Sequence, residues 1–339
     1  MSLNPILAEV LRKNVVESCH RGSVVVVNTR GETVFALGET DRFIYPRSAL
    51  KLFQAIPLLE SGAADHFGLS KREIALACAS HNAEEMHVST VSDWLNRIGL
   101  DREDLECGHD LPLLPEAAHE RIARGEKPER IFQNCSGKHT GMLTYAKYLQ
   151  GETKGYSEYD HPVQQQWMQV FSELIDIDVR ELEWERDGCG MPAVLMPMER
   201  LAYGFARFAD LDAIGGERAQ AMSRILDAIR HHPEMIAGSS RCCSAVIRET
   251  RGAVVVKTGA EAVYGGVIPE MKLGFALKVD DGAKRGSEVA LGGLLSAIGV
   301  LSNDQKKALV DYFEPTIHNT QKKVTGKMRP AGSWQDVTL

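Results

Sequence analysis

The sequence predicts an α+β fold, with one antiparallel sheet built from both ends of the chain, flanking helices, and an all-α lobe inserted between the two groups of strands. Near the start, "GSVVVVN" (22–28) and "TVFALG" (33–38) flank "TRGE", two β-rich runs around a Gly-bearing turn, which is the pattern of a hairpin. From Ser48 to about Ala245, segments such as "SALKLFQAI", "SGKHTGMLTYAKYLQ" and "ERAQAMSRILDAIR" carry apolar residues at spacings of three and four, the helical period. Strands then return in "GAVVVKTG" (252–259), "AVYGGVI" (262–268) and "KLGFALKV" (272–279), followed by helical "GSEVALGGLLSAIGVL" and "NDQKKALVDYF". The expectation is a single domain, residues 1–339, with an α/β lobe at approximately 1–45 and 245–339 and a helical lobe at approximately 46–244. The tail "GKMRPAGSWQDVTL" shows no such pattern and is expected to be loosely held.

Composition excludes several classes of function. The chain has 339 residues, of which 44% are hydrophobic and 25% charged, the make-up of a globular protein with a sizeable core. A formal net charge of −7, with no basic stripe, gives no electrostatic reason to expect a nucleic-acid partner. "MSLNPILAEVLRKN" lacks the basic start and long apolar run of a secretory signal, and no stretch approaches the roughly 20 apolar residues of a membrane span. Cysteines at 19, 78, 107, 135, 189, 242 and 243 are odd in number, which points to reduced thiols and a cytoplasmic location.

Three short motifs carry the chemistry. Ser48-Ala-Leu-Lys51 opens the first helix after the first strands, Ser80-His81-Asn82 ends a later helical segment, and Lys257-Thr258-Gly259 ends the first returning strand. S-x-x-K, S-x-N and K-T-G form the trio of the serine β-lactamase and penicillin-binding superfamily, and their order and placement weigh more than any one alone. K-T-G by itself is expected only about a tenth of a time by chance in this length. A serine hydroxyl is a poor nucleophile until a base takes its proton, and a lysine serves as that base only when neutral. Lys51 stands in an apolar stretch and Lys257 is a second ammonium, both circumstances that disfavour the charged form. Ser80 suits a proton relay to the leaving nitrogen, and backbone N–H groups at the Ser48 helix and along the K-T-G strand suit an oxyanion. The expected reaction is acyl transfer to Ser48, then hydrolysis.

Together, "YPRSALKLFQ", "ASHNAEEMH", "NCSGKHTGML", "DGCGMP" and "KTGAEAVYGG" resemble the bacterial L-asparaginase family of the Rhizobium etli type, akin in fold to serine β-lactamases and glutaminases, over roughly residues 10 to 315. The resemblance implies an amidohydrolase that converts L-asparagine to L-aspartate and ammonia with two Ser–Lys pairs, Ser48 with Lys51 and Ser80 with Lys257. It implies a homodimer, and a zinc site formed by Cys135, Lys138 and Cys189, with Asp187 and His139 close by. Substrate contacts fall to Asp187 for the α-amino group, Arg47 for the α-carboxylate, Asn82 for the amide, and Cys243, whose role is obscure.

Two thiolates suit zinc and a neutral lysine amine is an unusual third ligand, while buried structural thiols are the plain alternative. Cys135-x-x-Lys138 fits one helical turn, whereas Cys189 comes from a distant loop. A helix-capping role is the bland reading of Asn82. "REDLE" and "RELEWER" read most simply as solvated charged faces. Rival activities are a serine-dependent glutaminase, whose pocket differs by one methylene, a β-lactamase-like amidase, and a binding protein on a retired amidase fold.

Overall fold

The computed structural model describes residues 4–334. In chain order the strands are β1 (Ile6–Arg12), β2 (Val15–Asn28), β3 (Thr33–Leu37), β4 (Phe43–Ile44), β5 (Trp184–Arg186), β6 (Pro192–Val194), β7 (Met196–Pro197), β8 (Val255–Gly259), β9 (Val263–Ile268), β10 (Leu273–Val279), β11 (Thr316–His318) and β12 (Val324–Pro330). The chain divides into two compact units. One comprises the residues up to Ala49, Met196–Asp210 and those from Val246 onward, and the other Leu50–Leu195 and Leu211–Ala245.

The first unit is organised by an eight-stranded antiparallel sheet in the order β11-β12-β1-β2-β10-β9-β8, with β3 also paired to β2. Val24, Val25, Val26 and Val27 in β2 are all buried. Successive strand residues point to opposite faces, so a run buried without alternation means that both faces of the sheet are covered. Helix Met198–Arg207 packs on β10, β2 and β9 through a face that includes Leu201, Ala202 and Phe205. Val289, on helix Lys284–Ile298, clusters with Ala8, Val10 and Met328. Residues 196–210 therefore group with the sheet, although 46–244 reads in sequence as one helical stretch, and β7 anchors them by pairing with β4.

The sheet is also larger than the sequence pattern suggests. β1 and the first half of β2 escape a period-2 reading, because β1 has the burial order iBBiBBe rather than strict alternation and its turn carries Lys13 at φ 53° instead of a glycine. The expectation of a loose tail is corrected within the described residues. β12 pairs with β1, Trp334 is buried, and its Nε1–H donates to the Leu7 carbonyl at 2.8 Å. Residues 335–339 of that tail lie outside the described residues.

The second unit is helical apart from the β5–β6 pair. Helix Lys71–Ala77 starts on a capping box between Ser70 and Glu73 and ends at Cys78, leaving Ser80, His81 and Asn82 in an irregular segment. Helix Ser136–Tyr148 reads in sequence as one more periodic helix, but its first three turns are buried on every side, polar residues included, with Cys135 at the N-cap. A core helix of this kind brings polar side chains inside, and they must find partners there.

Three buried histidines are held in their neutral forms, His81 with both ring nitrogens bonded, whereas His87 Nδ1 and His139 Nε2 have no hydrogen-bond partner among the described residues. His81 Nδ1 accepts the Ala83 N–H at 3.1 Å, so Nε2 carries the proton and donates to Ser136 Oγ at 2.9 Å, and Ser136 donates to the Ile131 carbonyl at 3.0 Å. His87 stacks on His81 with ring centroids 5.0 Å apart and donates from Nε2 to the Glu234 carbonyl at 3.1 Å. The Tyr156 oxygen accepts the Glu106 N–H at 2.9 Å, leaving its own O–H to donate to His139 Nδ1 at 2.7 Å. Burial, with the neighbouring Lys138 charge, holds His139 down at about 3. Burial likewise takes His81 well below the usual histidine range and lowers His87. A histidine whose folded pKa lies below its unfolded value binds protons more readily when the chain unfolds, so stability rises with pH between the two values. The unfolding free energy is therefore expected to fall as pH drops from about 6.5 toward 3, by up to about 1.4 kcal/mol per pH unit from His139, with His81 and His87 acting in the same direction. Denaturant titrations across that range check this: His139→Gln should flatten the slope, and an unchanged slope would contradict neutral burial.

Candidate active site

The second unit concentrates its polar chemistry around Lys51. This residue opens helix Lys51–Gln54 and is 1% exposed, so its ammonium needs acceptors in place of water. It has three: the Ala79 carbonyl, Ser80 Oγ at 2.9 Å and Cys135 Sγ at 3.0 Å. These match the three donors of an ammonium. The Ser80 segment is pinned on both sides, its Ser80 N–H donating to the Ile236 carbonyl at 2.9 Å and its His81 N–H to the Asn134 carbonyl at 3.0 Å. Lys51 thus touches the S-x-N serine and the first sulfur of the cysteine pair at once.

The sequence-predicted zinc residues come together in the same unit. Cys135 at the N-cap and Lys138 three residues on share the first turn of helix Ser136–Tyr148, and Lys138 Nζ donates to Cys189 Sγ at 3.1 Å. Cys189 reaches them from the tight turn before β6, where Asp187 N–H donates to the Met191 carbonyl and Gly190 N–H to the Asp187 carbonyl. The Cys135 thiol donates to Cys189, which pulls Cys189 well below the usual thiol range against its burial, with Lys138 helping; the same bond, with burial, pushes Cys135 up. Burial opposes the Lys138 charge, but Cys189, Cys135 and Asp187 outweigh it and raise Lys138. Cys189 is thus the sulfur of the pair that gives up its proton more readily, with Lys138 and Cys135 beside it. Two cysteines and a lysine make a donor set that fits zinc once Cys135 and Lys138 give up their protons. Among the described residues no group of three or more His, Cys, Asp or Glu is gathered as a metal site, so a zinc ion here would need Lys138.

Arg47, Ser48 and Lys257 belong to the first unit. Lys257 lies in β8 opposite Gly265, is fully buried, and donates to the Thr258 carbonyl at 2.9 Å. A Cβ on Gly259 would stand 2.2 Å from the Pro46 carbonyl oxygen, so the end of K-T-G abuts the turn that carries Ser48, a closeness only glycine allows. That turn, Arg47–Leu50, runs directly into the helix begun by Lys51. Arg47 itself is left-handed at φ 54°. So are Ala83, the residue after Asn82, at 54°, and Glu261 and Ala262, just beyond K-T-G, at 57° and 59°. Each motif therefore adjoins a non-glycine residue in a strained conformation, which costs about 1–2 kcal/mol per residue and is the kind of outlier found where side chains must be held at fixed angles.

The other predicted residues are less directly placed. Asn82 is buried, and its Oδ1 already accepts from Arg241 at 2.9 Å. Asp187 Oδ1 accepts the N–H of its neighbour Gly188 at 2.6 Å, and its charge acts on Lys138 and Cys189. Cys243 is buried in helix Cys242–Glu249 and has no side-chain hydrogen bond among the described residues. Sequence reasoning missed Arg241, although it directly precedes the conspicuous cysteine pair, and Cys107, whose thiol is pushed up by burial and by Cys135 and Cys189. Neither carries a motif of its own.

Comparison with curated proteins gave no match. Among solved structures the chain is similar to a candidate beta-lactamase from Bacteroides dorei, at 12% identity and a TM-score of 0.38 over 76% of this chain and 84% of that one. It is similar also to an octameric penicillin-binding protein homologue from Pyrococcus abyssi, at 14% identity and a TM-score of 0.32 over 86% of this chain and 76% of that one. Both likenesses are too distant to assign any residue a role. A family model described as L-asparaginase II, in contrast, matches residues 8–330, a span that takes in the S-x-x-K, S-x-N and K-T-G motifs and both cysteines of the sulfur pair. The chain belongs to the L-asparaginase II family and is an amidohydrolase of that family.

Proposed function

We propose that the protein hydrolyses the side-chain amide of L-asparagine to L-aspartate and ammonia through an acyl-enzyme on Ser48. The observation that carries this reading is the buried Lys51, three residues after Ser48 in one helical stretch and bonded to Ser80 at 2.9 Å. In its neutral form Lys51 takes the Ser48 hydroxyl proton as Oγ attacks the amide carbon. The tetrahedral adduct collapses by breaking its C–N bond, and Ser80, with Lys257 as its partner, passes a proton to the departing nitrogen, which leaves as ammonia. Water then attacks the ester carbon, its proton goes to the same bases, and aspartate departs with Ser48 restored. The Lys51–Ser80 bond favours one second reading, in which Ser80 is the nucleophile and Ser48 the relay. Glutamine would need only a deeper pocket, a difference of about 1–3 kcal/mol.

Zinc belongs to the same proposal. Cys135, Lys138 and Cys189 would hold it, and it would supply a Lewis acid for the polar end of the amino-acid substrate. A cytoplasmic location is supported by seven cysteines that are all free thiols. A homodimer is proposed on the family resemblance alone. Among the described residues no helix is long and apolar enough to cross a membrane.

Ammonia release from L-asparagine and L-glutamine, measured in parallel, tests the activity. Ser48→Ala is expected to lower asparagine turnover by at least about 1000-fold, and Ser80→Ala by about 100-fold, the range of a lost relay. Full activity in Ser48→Ala would overturn the assignment, and a preference for glutamine would change the substrate. Elemental analysis tests the metal: wild type is expected to retain close to one zinc per chain, and Cys135→Ala or Cys189→Ala to lose it. A Cys135→Ala protein that keeps a full equivalent would remove Cys135 from the ligand set.

A further inference from the structure

We propose that Arg241 binds the α-carboxylate of the amide substrate, an inference that rests on the reading of the protein as an asparaginase and names the group that sets its substrate class. Arg47 is the sequence-based candidate for this contact, but the second unit holds a guanidinium better suited to it. Arg241 is half-buried and donates from NH1 to Asn82 Oδ1 at 2.9 Å. Among the described residues it has no carboxylate partner and no other side-chain hydrogen bond. A guanidinium has five N–H donors in a planar fork, so this one keeps most of its donors free of protein partners and able to receive an anion.

Its surroundings hold it in place without neutralising it. Glu84 is linked to Arg241 through Asn82, and its Oε1 accepts the Ser239 N–H at 2.9 Å and an Asn82 Nδ2 hydrogen at 3.4 Å. Asn82 stands between the two charges, its amide orientation fixed by Glu84 on one side and Arg241 on the other. Gly238 makes the arrangement possible: it sits at φ 130°, and a Cβ there would lie 2.5 Å from Glu84 Oε1 and 2.7 Å from Asn82 Nδ2. The Arg241 N–H closes the turn onto the Gly238 carbonyl at 3.4 Å, and the Ser80 N–H is bonded to Ile236 in the same loop. Two irregular segments, 80–84 and 236–241, are thus laced together with Ser80 at one end and Arg241 at the other.

The distances suit a small amino-acid amide. Ser80 and Asn82 are two residues apart and so at most about 7 Å from Cα to Cα. In L-asparagine the carboxylate carbon is separated from the amide carbon by two carbon atoms. A substrate whose amide reaches the Ser80–Lys51 pair would carry its carboxylate toward the Asn82–Arg241 pair, where a planar, two-point contact is available. Asn82 then acts as the positioning residue for Arg241 rather than as the partner of the scissile amide.

The test compares wild type, Arg241→Ala and Arg241→Lys in steady-state hydrolysis of L-asparagine, with 3-aminopropanamide, which lacks the carboxylate, as a competing ligand. Loss of charge-assisted bonds to a carboxylate is expected to raise KM for L-asparagine about 10-fold to 100-fold in Arg241→Ala, with a smaller change in kcat. Inhibition by 3-aminopropanamide should be unaltered, and Arg241→Lys should recover part of the loss. An unchanged KM, or equal loss for both ligands with no recovery by lysine, would overturn the proposal. If the wild type releases no ammonia from L-asparagine, the asparaginase reading fails separately, and calorimetry with L-aspartate decides Arg241. Binding to wild type that is lost in Arg241→Ala upholds the carboxylate contact; equal binding, or none to wild type, overturns it.

Discussion

A lysine amine sealed inside a helical unit must find hydrogen-bond partners in place of water, and the polar segments of the second unit meet that demand at Lys51. Its three acceptors come from three different places: a backbone carbonyl at the end of one helical segment, the hydroxyl that follows it, and a sulfur at the N-cap of a core helix. None of the three is replaceable without leaving a buried donor unpaired, a loss of about 1–3 kcal/mol or more. The bond that holds the lysine in the fold is therefore the same bond that holds Ser80 and Cys135 at fixed positions beside it.

Around this centre, rigidity is supplied by backbone rather than by long side chains. The segment bearing Ser80 is hydrogen-bonded on one side to Ile236 and on the other to Asn134, next to Cys135. His81 ties it again, through Ser136, to the first turn of the core helix. Left-handed residues that are not glycine stand beside each of the three motifs, at Arg47, Ala83, Glu261 and Ala262. Strain of that kind persists only where neighbouring structure over-determines the backbone. Cys135, Cys189 and Lys138 share a small buried space, and a zinc ion there would displace the protons of the groups that ligate it.

Much of this was legible in the sequence where local pattern and chemistry coincide. β2, β3 and β8–β10 announce themselves by β-branched runs and turn glycines, and K-T-G marks the end of β8. Cys135-x-x-Lys138 could be placed on one turn because both residues belong to one helix. What escaped depends on contacts distant in sequence. β12 forms a strand because β1, more than 300 residues earlier, offers it an edge, and no local period signals that. Helix Met198–Arg207 looks like its helical neighbours in sequence yet packs with the sheet. Lys51 reads in sequence as the base of Ser48, and nothing local to it signals that its hydrogen bonds run to Ser80 and Cys135, residues 29 and 84 positions away. Arg241 carries no motif in the sequence, and only the folded chain shows that, among the described residues, its side chain bonds to Asn82 and to no carboxylate.

The central claim is that Lys51 serves Ser48 as base while Ser80, hydrogen-bonded to it, relays the proton. Mass-spectrometric mapping of the acyl-enzyme trapped by rapid acid quench during asparagine turnover tests it most directly. The account predicts an aspartyl ester on the peptide that contains Ser48, absent in Lys51→Met. An ester on the Ser80 peptide instead, or unimpaired acylation of Ser48 in the Lys51→Met protein, would contradict it.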